Sequence, residues 1–319
     1  MSSEDIGRAD LGSSRDELRD LISGDPRVAV DDLEVLFGGE IDHAEGIAID
    51  ADGTIWCGGE EGQIYRIEPN SPCAVVAKIA GRPLGIALDA SGVAYVAAEA
   101  GSTPGGVAAV WKVSPDGGAT VLVTEVDGRG LVSPNHPAFL PDGTLLCTES
   151  GTWGGDDGFV FSVGADGSSS IIDRTCSRYP NGICVSESGD RILVVESMLP
   201  GIRVLERAAD GSFEPSTVVV ELPGVIPDGV VLDDSGNMLI ACFAPDCVLV
   251  VDTVGNVEVV ASDRRRFSLH SPTNVAFVPG TSTVIAANYG ERALTRFRHD
   301  RRGAAVHRPD HSATAWTPT

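Results

Sequence analysis

The chain has 319 residues, including 38 glycines and 19 prolines, a composition that suits many short strands and tight turns and excludes an architecture of long helices. Its formal net charge of −23 should repel nucleic acid and anionic membrane surfaces, so we expect neither as a partner. The acidity reflects either solubility or carboxylates that hold a cation, and net charge alone does not separate the two.

The start of the chain carries no sign of export. The opening residues, MSSEDIGRADLG, are polar and acidic, whereas a secretory signal needs a basic start and an apolar core. No apolar run approaches membrane-spanning length. Seven cysteines occur without a CxxC pair, and Cys57, Cys147 and Cys242 lie in apolar runs, which predicts buried free thiols. We expect a soluble, cytoplasmic protein.

Three regions follow one another along the chain. Residues 14–23 (SRDELRDLIS) have the pattern of a short amphipathic helix, and strand-like runs extend from Leu33 to Phe297. The sequence beyond is polar and basic. We therefore expect an N-terminal extension with a short helix (1–32), a strand-built domain (33–298), and a polar C-terminal tail (299–319) that is mobile and has no assigned function.

An internal repeat accounts for the strand-built region. Six segments each consist of an apolar run, a polar turn containing glycine, and a second apolar run, and they begin at Glu45, Leu84, Asn135, Asn181, Asp228 and Thr273. Each segment predicts a β-hairpin, with Gly53, Gly92, Gly143, Gly189, Gly236 and Gly280 in the turns. Further runs such as Gln63–Ile67 and Val257–Ala261 raise each repeat to about four strands.

A repeat of about 45 residues built from strands alone is typical of propeller blades. The expected fold class is all-β, a six-bladed β-propeller with a short N-terminal helical extension. The strand-like run Leu33–Phe37 precedes the first repeat. We expect this run to close the ring as the outer strand of the last blade.

The first position of each repeat is one structural position seen six times. The first strand of a propeller blade lines the central channel, so these six side chains should meet near the axis. Four of them carry carboxylate or amide oxygens: Glu45, Asn135, Asn181 and Asp228. Because such a cluster is unfavourable without a counter-charge, we predict one divalent metal there, calcium before magnesium, manganese or zinc. The alternative is that these residues are ordinary turn formers before strands.

The same residues carry a family resemblance over roughly residues 33–297. The stretches AEGIAI, SPNHPAFLPDGTL, YPNGICVS and IPDGVVLDDSGN resemble the senescence marker protein/gluconolactonase (regucalcin-like) family, and more distantly diisopropylfluorophosphatase and the paraoxonases. The resemblance implies that Glu45, Asn135, Asn181 and Asp228 bind the metal and that Asp228 acts as general base or nucleophile. One departure is visible, because the family usually has Asn-Asp where this chain has Asn135-His136.

We therefore expect a metal-dependent hydrolase that opens a small-molecule lactone or ester. The metal would activate the carbonyl as a Lewis acid, and Asp228, with Glu45 and Asn181, would form the catalytic set. No G-x-S-x-G motif points to a catalytic serine. The oligomeric state is expected to be monomer or homodimer.

Several side chains near repeat boundaries are candidates for the substrate pocket. We assign substrate binding to His136, Trp153, Tyr179, Phe243, His270 and Tyr289. For the two histidines the alternative is a hydrogen-bonded structural role, and for the aromatic residues it is packing. Glu99, Glu149 and Glu196 recur at the ends of second strands, where they either support the site or form surface ion pairs.

Two further functions remain open at this stage. A different reaction on the same scaffold, such as organophosphate hydrolysis or strictosidine synthase-like chemistry, is one, because a fold does not fix a function. A non-catalytic ligand-binding propeller is the other. The four oxygen-bearing residues favour the metal-dependent hydrolase.

Overall fold

A computed structural model describes residues 15–101 and 105–311, and in these ranges the chain consists almost wholly of strands. The N-terminal extension contains the helix α1 (Arg15–Ile22) and a 3₁₀ turn (Val30–Asp32). The helix falls where the amphipathic pattern predicted it. The short strand β1 (Glu34–Leu36) follows.

The remaining strands form five four-stranded sheets in chain order, a sixth that includes β1, and one two-stranded ribbon. Blades 1 to 3 contain β2 (Ile47–Ile49), β3 (Ile55–Gly58), β4 (Gln63–Ile67), β5 (Val75–Lys78); β6 (Arg82–Leu88), β7 (Ala94–Glu99), β8 (Ala109–Val113), β9 (Ala119–Val123); and, after a small ribbon of β10 (Glu125–Val126) and β11 (Arg129–Gly130), β12 (Pro134–Phe139), β13 (Leu145–Glu149), β14 (Phe159–Val163), β15 (Ser169–Asp173). Blades 4 to 6 contain β16 (Pro180–Val185), β17 (Arg191–Glu196), β18 (Gly201–Glu206), β19 (Thr217–Glu221); β20 (Ile226–Leu232), β21 (Met238–Ala244), β22 (Cys247–Val251), β23 (Val257–Ser262); and β24 (Pro272–Phe277), β25 (Thr283–Asn288), β26 (Leu294–Arg298).

The first strands of the blades surround a common axis. Each of the inner strands β2, β6, β12, β16, β20 and β24 contacts the inner strand of the next blade, and β24 contacts β2. Pairing within every blade is antiparallel, as in β16 and β17, where Ile183 faces Val194. The predicted six-bladed propeller is confirmed.

The ring is closed by strands from both ends of the chain. Strand β1 is the outer strand of blade 6, and Glu34 and Leu36 pair with Arg296 and Leu294 of β26. The expectation for the segment 33–37 is confirmed. Closure of this kind leaves no unpaired strand between the first and last blades.

The apolar core lies between the blades. In the described part of the chain, six clusters of buried side chains each join two neighbouring blades. Trp56, for example, is fully buried between blades 1 and 2, and Phe161 between blades 2 and 3. Because both faces of each sheet pack against neighbours, the central residues of the second strands are apolar.

The N-terminal extension lies on the outside of the propeller. Leu18 of α1 packs into the cluster between blades 4 and 5. The backbone N–H groups of Arg27 and Val28 donate to the carbonyl oxygens of Val259 and Val260 at 3.0 and 2.8 Å. The extension thereby covers the outer strand of blade 5, an edge that would otherwise be open to pairing.

The C-terminal tail does not lie free, so the expectation of a mobile segment was wrong for residues 299–311. This segment crosses the end of the channel opposite to the first residues of the inner strands. The N–H of Ala304 donates to Leu232 O at 3.0 Å, and Pro309 O accepts from Ala90 N at 3.0 Å. Residues 303–308 line the lower part of a mainly apolar cavity of about 450 Å³ in the channel.

Two further expectations can be compared with the fold. Cys57, Cys147 and Cys242 are buried free thiols, as predicted. None of the helices among the described residues is both long and apolar enough to cross a bilayer.

Candidate metal centre

The six repeat starts form a closed ring of touching backbones. A β-carbon on Gly46 would overlap the carbonyl oxygen of Leu84, and one on Gly85 would lie 2.6 Å from Asn135 O. On the other side of the axis, a β-carbon on Gly182 would lie 2.6 Å from Asp228 O. Glycine is required where backbones approach this closely. The blades therefore meet at the residues that follow the predicted ligands.

Two threonine hydroxyls complete the ring where glycines do not. Thr148 Oγ1 donates to Asn181 O at 2.6 Å and accepts from the N–H of His136 at 3.0 Å, which joins blades 3 and 4. Thr273 Oγ1 donates to Glu45 O at 2.6 Å and joins the last blade to the first. The repeat starts therefore share one level of the channel, as the alignment of the repeats predicted.

The four oxygen-bearing side chains lie at this level and are largely withdrawn from water. Asn135, Asn181 and Asp228 are buried, and the Glu45 side chain is 14% exposed. Asn181 Oδ1 and Asp228 Oδ1 have no hydrogen-bond donor among the described residues, although both are inaccessible to water. Unpartnered buried oxygens are rare in folded proteins and call for an explanation.

The electrostatics of the site follow from burial. Burial raises the pKa of Glu45 to about 7, the nearby Arg82 opposes this shift, and Glu99 and Glu60 add to it. Burial and the charge of Glu45 raise the pKa of Asp228 well above its usual value. The two carboxylates therefore repel each other when ionised, and the ionised form of each is unfavourable without a counter-charge.

The side chains present fit a hard divalent cation. They offer carboxylate and amide oxygens alone, and the two unpartnered oxygens supply acceptors that a cation would satisfy. Asn181 Nδ2 donates to Ser197 Oγ at 3.3 Å, which fixes the amide with its oxygen unpaired. In the described ranges, no three His, Cys, Asp or Glu side chains form a metal cluster, and half of the candidate set is asparagine.

His136 occupies the ring position that glycine holds in four other blades. Its imidazole lines the channel cavity below the ring, and a β-carbon on Gly85 would lie 2.7 Å from its Nδ1 atom. Burial lowers the pKa of His136 to about 4, so the ring is neutral near pH 7. The side chain therefore faces the channel cavity, and its predicted contact with substrate stays a prediction.

The four predicted aromatic residues form two pairs at the end of the channel where the inner strands begin, which we call the rim. Trp153, 57% exposed, packs edge-on against Tyr179 with ring centroids 4.7 Å apart. Tyr179 adopts a φ of 65°, a conformation that bulky residues seldom take. Across the rim, Phe243 and Tyr289 have ring centroids 6.2 Å apart. Tyr289 accepts from Arg82 Nη1 at 3.0 Å, and the role of all four residues as substrate contacts stays a prediction.

The remaining predicted residues contact backbone groups, and their predicted roles, substrate binding for His270 and support of the site for Glu149 and Glu196, stay predictions. His270 lies against Gly290, whose N–H donates to His270 O at 3.1 Å. Glu149 accepts from the N–H of Ser133 at 2.7 Å. Glu196 accepts from the N–H of Arg178 at 2.6 Å. The two glutamates hold the loops that precede the inner strands.

Arg82 belongs to the site but was not identified from the sequence. Its Nη1 atom lies 3.9 Å from Glu45 Oε2, and its Nε atom donates to Glu99 Oε1 at 2.9 Å. Arg82 stands two residues before the repeat start Leu84. A search for charged residues at that offset in each repeat would have found it.

Comparison with known proteins agrees with the fold. The family profile described as "SMP-30/Gluconolactonase/LRE-like region" matches residues 44–285. Diisopropyl-fluorophosphatase of Loligo vulgaris is 24% identical over 153 residues, which cover 46% of this chain and 48% of that protein. The match thus spans about half the length of this curated relative.

Solved structures are similar over most of the chain. A gluconolactonase from Xanthomonas campestris has a TM-score of 0.69 at 17% identity, covering 88% of this chain and 95% of that one. The calcium-binding protein regucalcin from Agrobacterium tumefaciens has a TM-score of 0.66 at 17% identity, covering 86% and 96%. At these identities the likeness establishes a shared fold.

Proposed function

This chain belongs to the SMP-30/Gluconolactonase/LRE-like family, and from that premise we propose that it is a hydrolase that opens a small lactone. One divalent cation, calcium as the first choice, serves the reaction at the upper end of the channel. The observation that carries the proposal is a pair of buried side-chain oxygens, Asn181 Oδ1 and Asp228 Oδ1, that accept no hydrogen bond from the described residues. Both belong to residues at the repeat starts.

Four side chains would hold the cation: Glu45, Asn135, Asn181 and Asp228. When bound, a divalent cation supplies Lewis-acid polarisation of the substrate carbonyl. The protein orients its own donors beforehand. Asn181 Nδ2 donates to Ser197 Oγ, and Ser197 Oγ donates to Pro227 O at 2.7 Å, so the amide cannot rotate freely. Such support usually governs metal affinity as strongly as it governs geometry.

Asp228 has two possible chemical roles. As general base it removes a proton from the attacking water. As nucleophile its carboxylate oxygen attacks the carbonyl carbon and the ring C–O bond breaks, and water then attacks the Asp228 carboxyl carbon of this intermediate and releases the ring-opened acid. A single turnover in water labelled with heavy oxygen separates them. The label enters Asp228 in the second case and the product alone in the first.

We place the substrate between the two aromatic pairs. The Trp153–Tyr179 pair offers an aromatic wall on blades 3 and 4, and Tyr289 with Phe243 borders the opposite side. A lactone ring between them would place its carbonyl toward Glu45 and Asp228. His136 lies below the backbone ring, in the channel cavity.

Organophosphate hydrolysis is the second candidate. The observation that favours it is the similarity to diisopropyl-fluorophosphatase over 153 residues. The same site would polarise a phosphoryl oxygen in place of a carbonyl oxygen. A fluorophosphate substrate therefore belongs in the assay beside the lactones.

The test combines metal content with turnover. Untagged protein is analysed for divalent metals, and lactones of several ring sizes are assayed with a pH indicator, with and without a chelator. Asp228→Asn keeps the side-chain volume and removes the charge. Asp234→Asn is the matched control, because Asp234 is exposed on the same blade, in the turn that follows β20.

We expect the wild type to bind one equivalent of metal and to lose its turnover when the metal is chelated. Asp228→Asn should also lose turnover, whereas Asp234→Asn should keep both the bound metal and the turnover. Failure to bind metal at millimolar calcium would refute the proposed centre. Bound metal without turnover of any lactone or fluorophosphate would refute the hydrolase and favour a binding role.

A further inference from the structure

Arg82 is a cationic group built into the mouth of the candidate site. Its Nε atom donates to Glu99 Oε1 at 2.9 Å, and its Nη1 atom donates to Tyr289 Oη at 3.0 Å. The guanidinium carbon lies 5.4 Å from the centre of the Tyr289 ring. The side chain is 20% exposed. Contacts from blades 2 and 6 therefore fix this cation beside Glu45 of blade 1.

Arg82 faces groups from three blades. It begins the inner strand of blade 2, and its Nη1 atom lies 3.9 Å from Glu45 Oε2 of blade 1. Its hydrogen bond to Tyr289 Oη adds a contact with blade 6. Any substrate placed against Asp228 comes within the field of Arg82.

The guanidinium retains donors for a ligand. Of its five N–H groups, one is used by Glu99 and one by Tyr289. The distance of 3.9 Å to Glu45 Oε2 is an ion pair longer than a hydrogen bond. Nη2 forms no hydrogen bond with any residue that the structure describes. The end of the fork formed by Nη1 and Nη2 is therefore open to a second carboxylate.

We propose that Arg82 determines substrate specificity by binding a carboxylate carried on the lactone ring, so that the preferred substrates are anionic lactones. The proposal rests on the lactonase function proposed above. A guanidinium matches a carboxylate with two parallel hydrogen bonds, which a neutral hydroxyl or amide cannot reproduce. Glu99 accepts from Nε of the guanidinium, and the end formed by Nη1 and Nη2 remains for the carboxylate of the ligand.

The repulsion expected from an acidic protein does not oppose this assignment. A divalent cation would balance Glu45 and Asp228, and Arg82 pairs with Glu99 at 2.9 Å. Glu60, which accepts from Tyr289 Oη at 3.3 Å, is then the carboxylate near Arg82 that the substrate anion still meets. Specificity for the anion consequently requires the loaded metal site as well as Arg82.

The experiment compares two substrates that differ in one group. The carboxylate 5-oxotetrahydrofuran-2-carboxylate and its carboxamide are assayed with calcium-loaded protein. We expect the wild type to favour the carboxylate by at least tenfold in kcat/KM. Arg82→Met should lower kcat/KM for the carboxylate about 10- to 100-fold and leave the carboxamide within about threefold. Arg82→Lys should fall between, because it keeps the charge without the fork.

A matched control and a metal titration exclude an indirect effect. Arg66→Met removes an arginine paired with Glu68 on blade 1, away from the mouth, and should change neither rate. Removing Arg82 should strengthen calcium binding, since it removes a positive charge beside Glu45. Weaker calcium binding with equal loss on both substrates would make Arg82 a support of the metal site and overturn the proposal.

A binding measurement keeps this proposal separate from the hydrolase itself. Calorimetry with the unreactive ketones 3-oxocyclopentane-carboxylate and 3-oxocyclopentane-carboxamide reports recognition without turnover. If neither lactone is hydrolysed but the acid ketone binds in an Arg82-dependent manner, the hydrolase fails and the anion site stands. Equal binding of acid and amide by the wild type would refute the anion site whatever the rates are.

Discussion

Thr273 Oγ1 donates a 2.6 Å hydrogen bond to the carbonyl oxygen of Glu45, and so the closure of the propeller and the candidate metal centre meet in one contact. Asn274 Nδ2 donates to the same oxygen at 3.2 Å. Glu45 precedes its inner strand and is not part of it. The last blade therefore holds the backbone of the first predicted ligand in place.

Thr273→Val should weaken both the fold and the site, because it removes this hydrogen bond at nearly constant volume. We expect a loss of about 1 kcal/mol in the free energy of unfolding and about tenfold weaker calcium binding. Thermal unfolding and calorimetry measure the two effects. Thr120→Val, on the exposed edge of blade 2, is the control. Unchanged calcium affinity in Thr273→Val would show that ring closure does not position Glu45.

Metal-free protein should lose stability as the pH rises from about 4.5 to about 7, because burial raises the pKa of Glu45 to about 7. The folded state then binds a proton that the unfolded state has released, so the stabilisation exists below the unfolded pKa and is lost through the folded one. For Glu45 the effect amounts to at most about 3 kcal/mol.

Glu45→Gln isolates this contribution from those of other carboxylates. The melting temperatures of wild type and Glu45→Gln are measured in chelator from pH 4 to 8. As the pH rises, the melting temperature of the variant should increase relative to that of the wild type. Calcium should reverse the trend at pH 8 by binding the ionised form. A pH-independent difference would contradict the burial of an uncompensated Glu45.

His136→Asp should make the metal-free protein less stable and the loaded protein relatively more stable. The substitution places a third carboxylate beside Asn135 in a position where burial already keeps the imidazole neutral. We expect a loss of about 1 to 3 kcal/mol without metal and calcium binding stronger by about tenfold. His136→Asn supplies a neutral comparison. Equal calcium affinity in the two variants would place residue 136 outside the reach of the cation.

Removal of the C-terminal tail should destabilise the propeller. A chain ending at Arg298 loses the hydrogen bonds of Ala304 to Leu232 and of Ala90 to Pro309, each worth about 1 kcal/mol. It also loses buried His299 and His311. We expect the melting temperature to fall by at least about 5 °C, and a chain ending at His311 to match the full-length protein. Equal melting of all three would mean that the tail adds nothing to the fold.

The sequence by itself determined the fold, the register of the repeats and the level at which the four oxygen-bearing residues meet. These properties are written in local patterns that recur every blade, such as the apolar run before Gly53 and the one before Gly236. A local signal repeated six times needs no knowledge of distant contacts. The same repetition selected Glu45 and Asp228 as members of one predicted site.

Only the tertiary structure decided which other groups join the site. Arg82 and Tyr289 are hydrogen-bonded although 207 positions separate them in sequence, and His307 of the tail bonds to Ser186 O on blade 4. Such contacts are made once, so no periodic pattern marks them. They depend on closing the ring, which brings the last blade and the tail against residues that the chain passed much earlier.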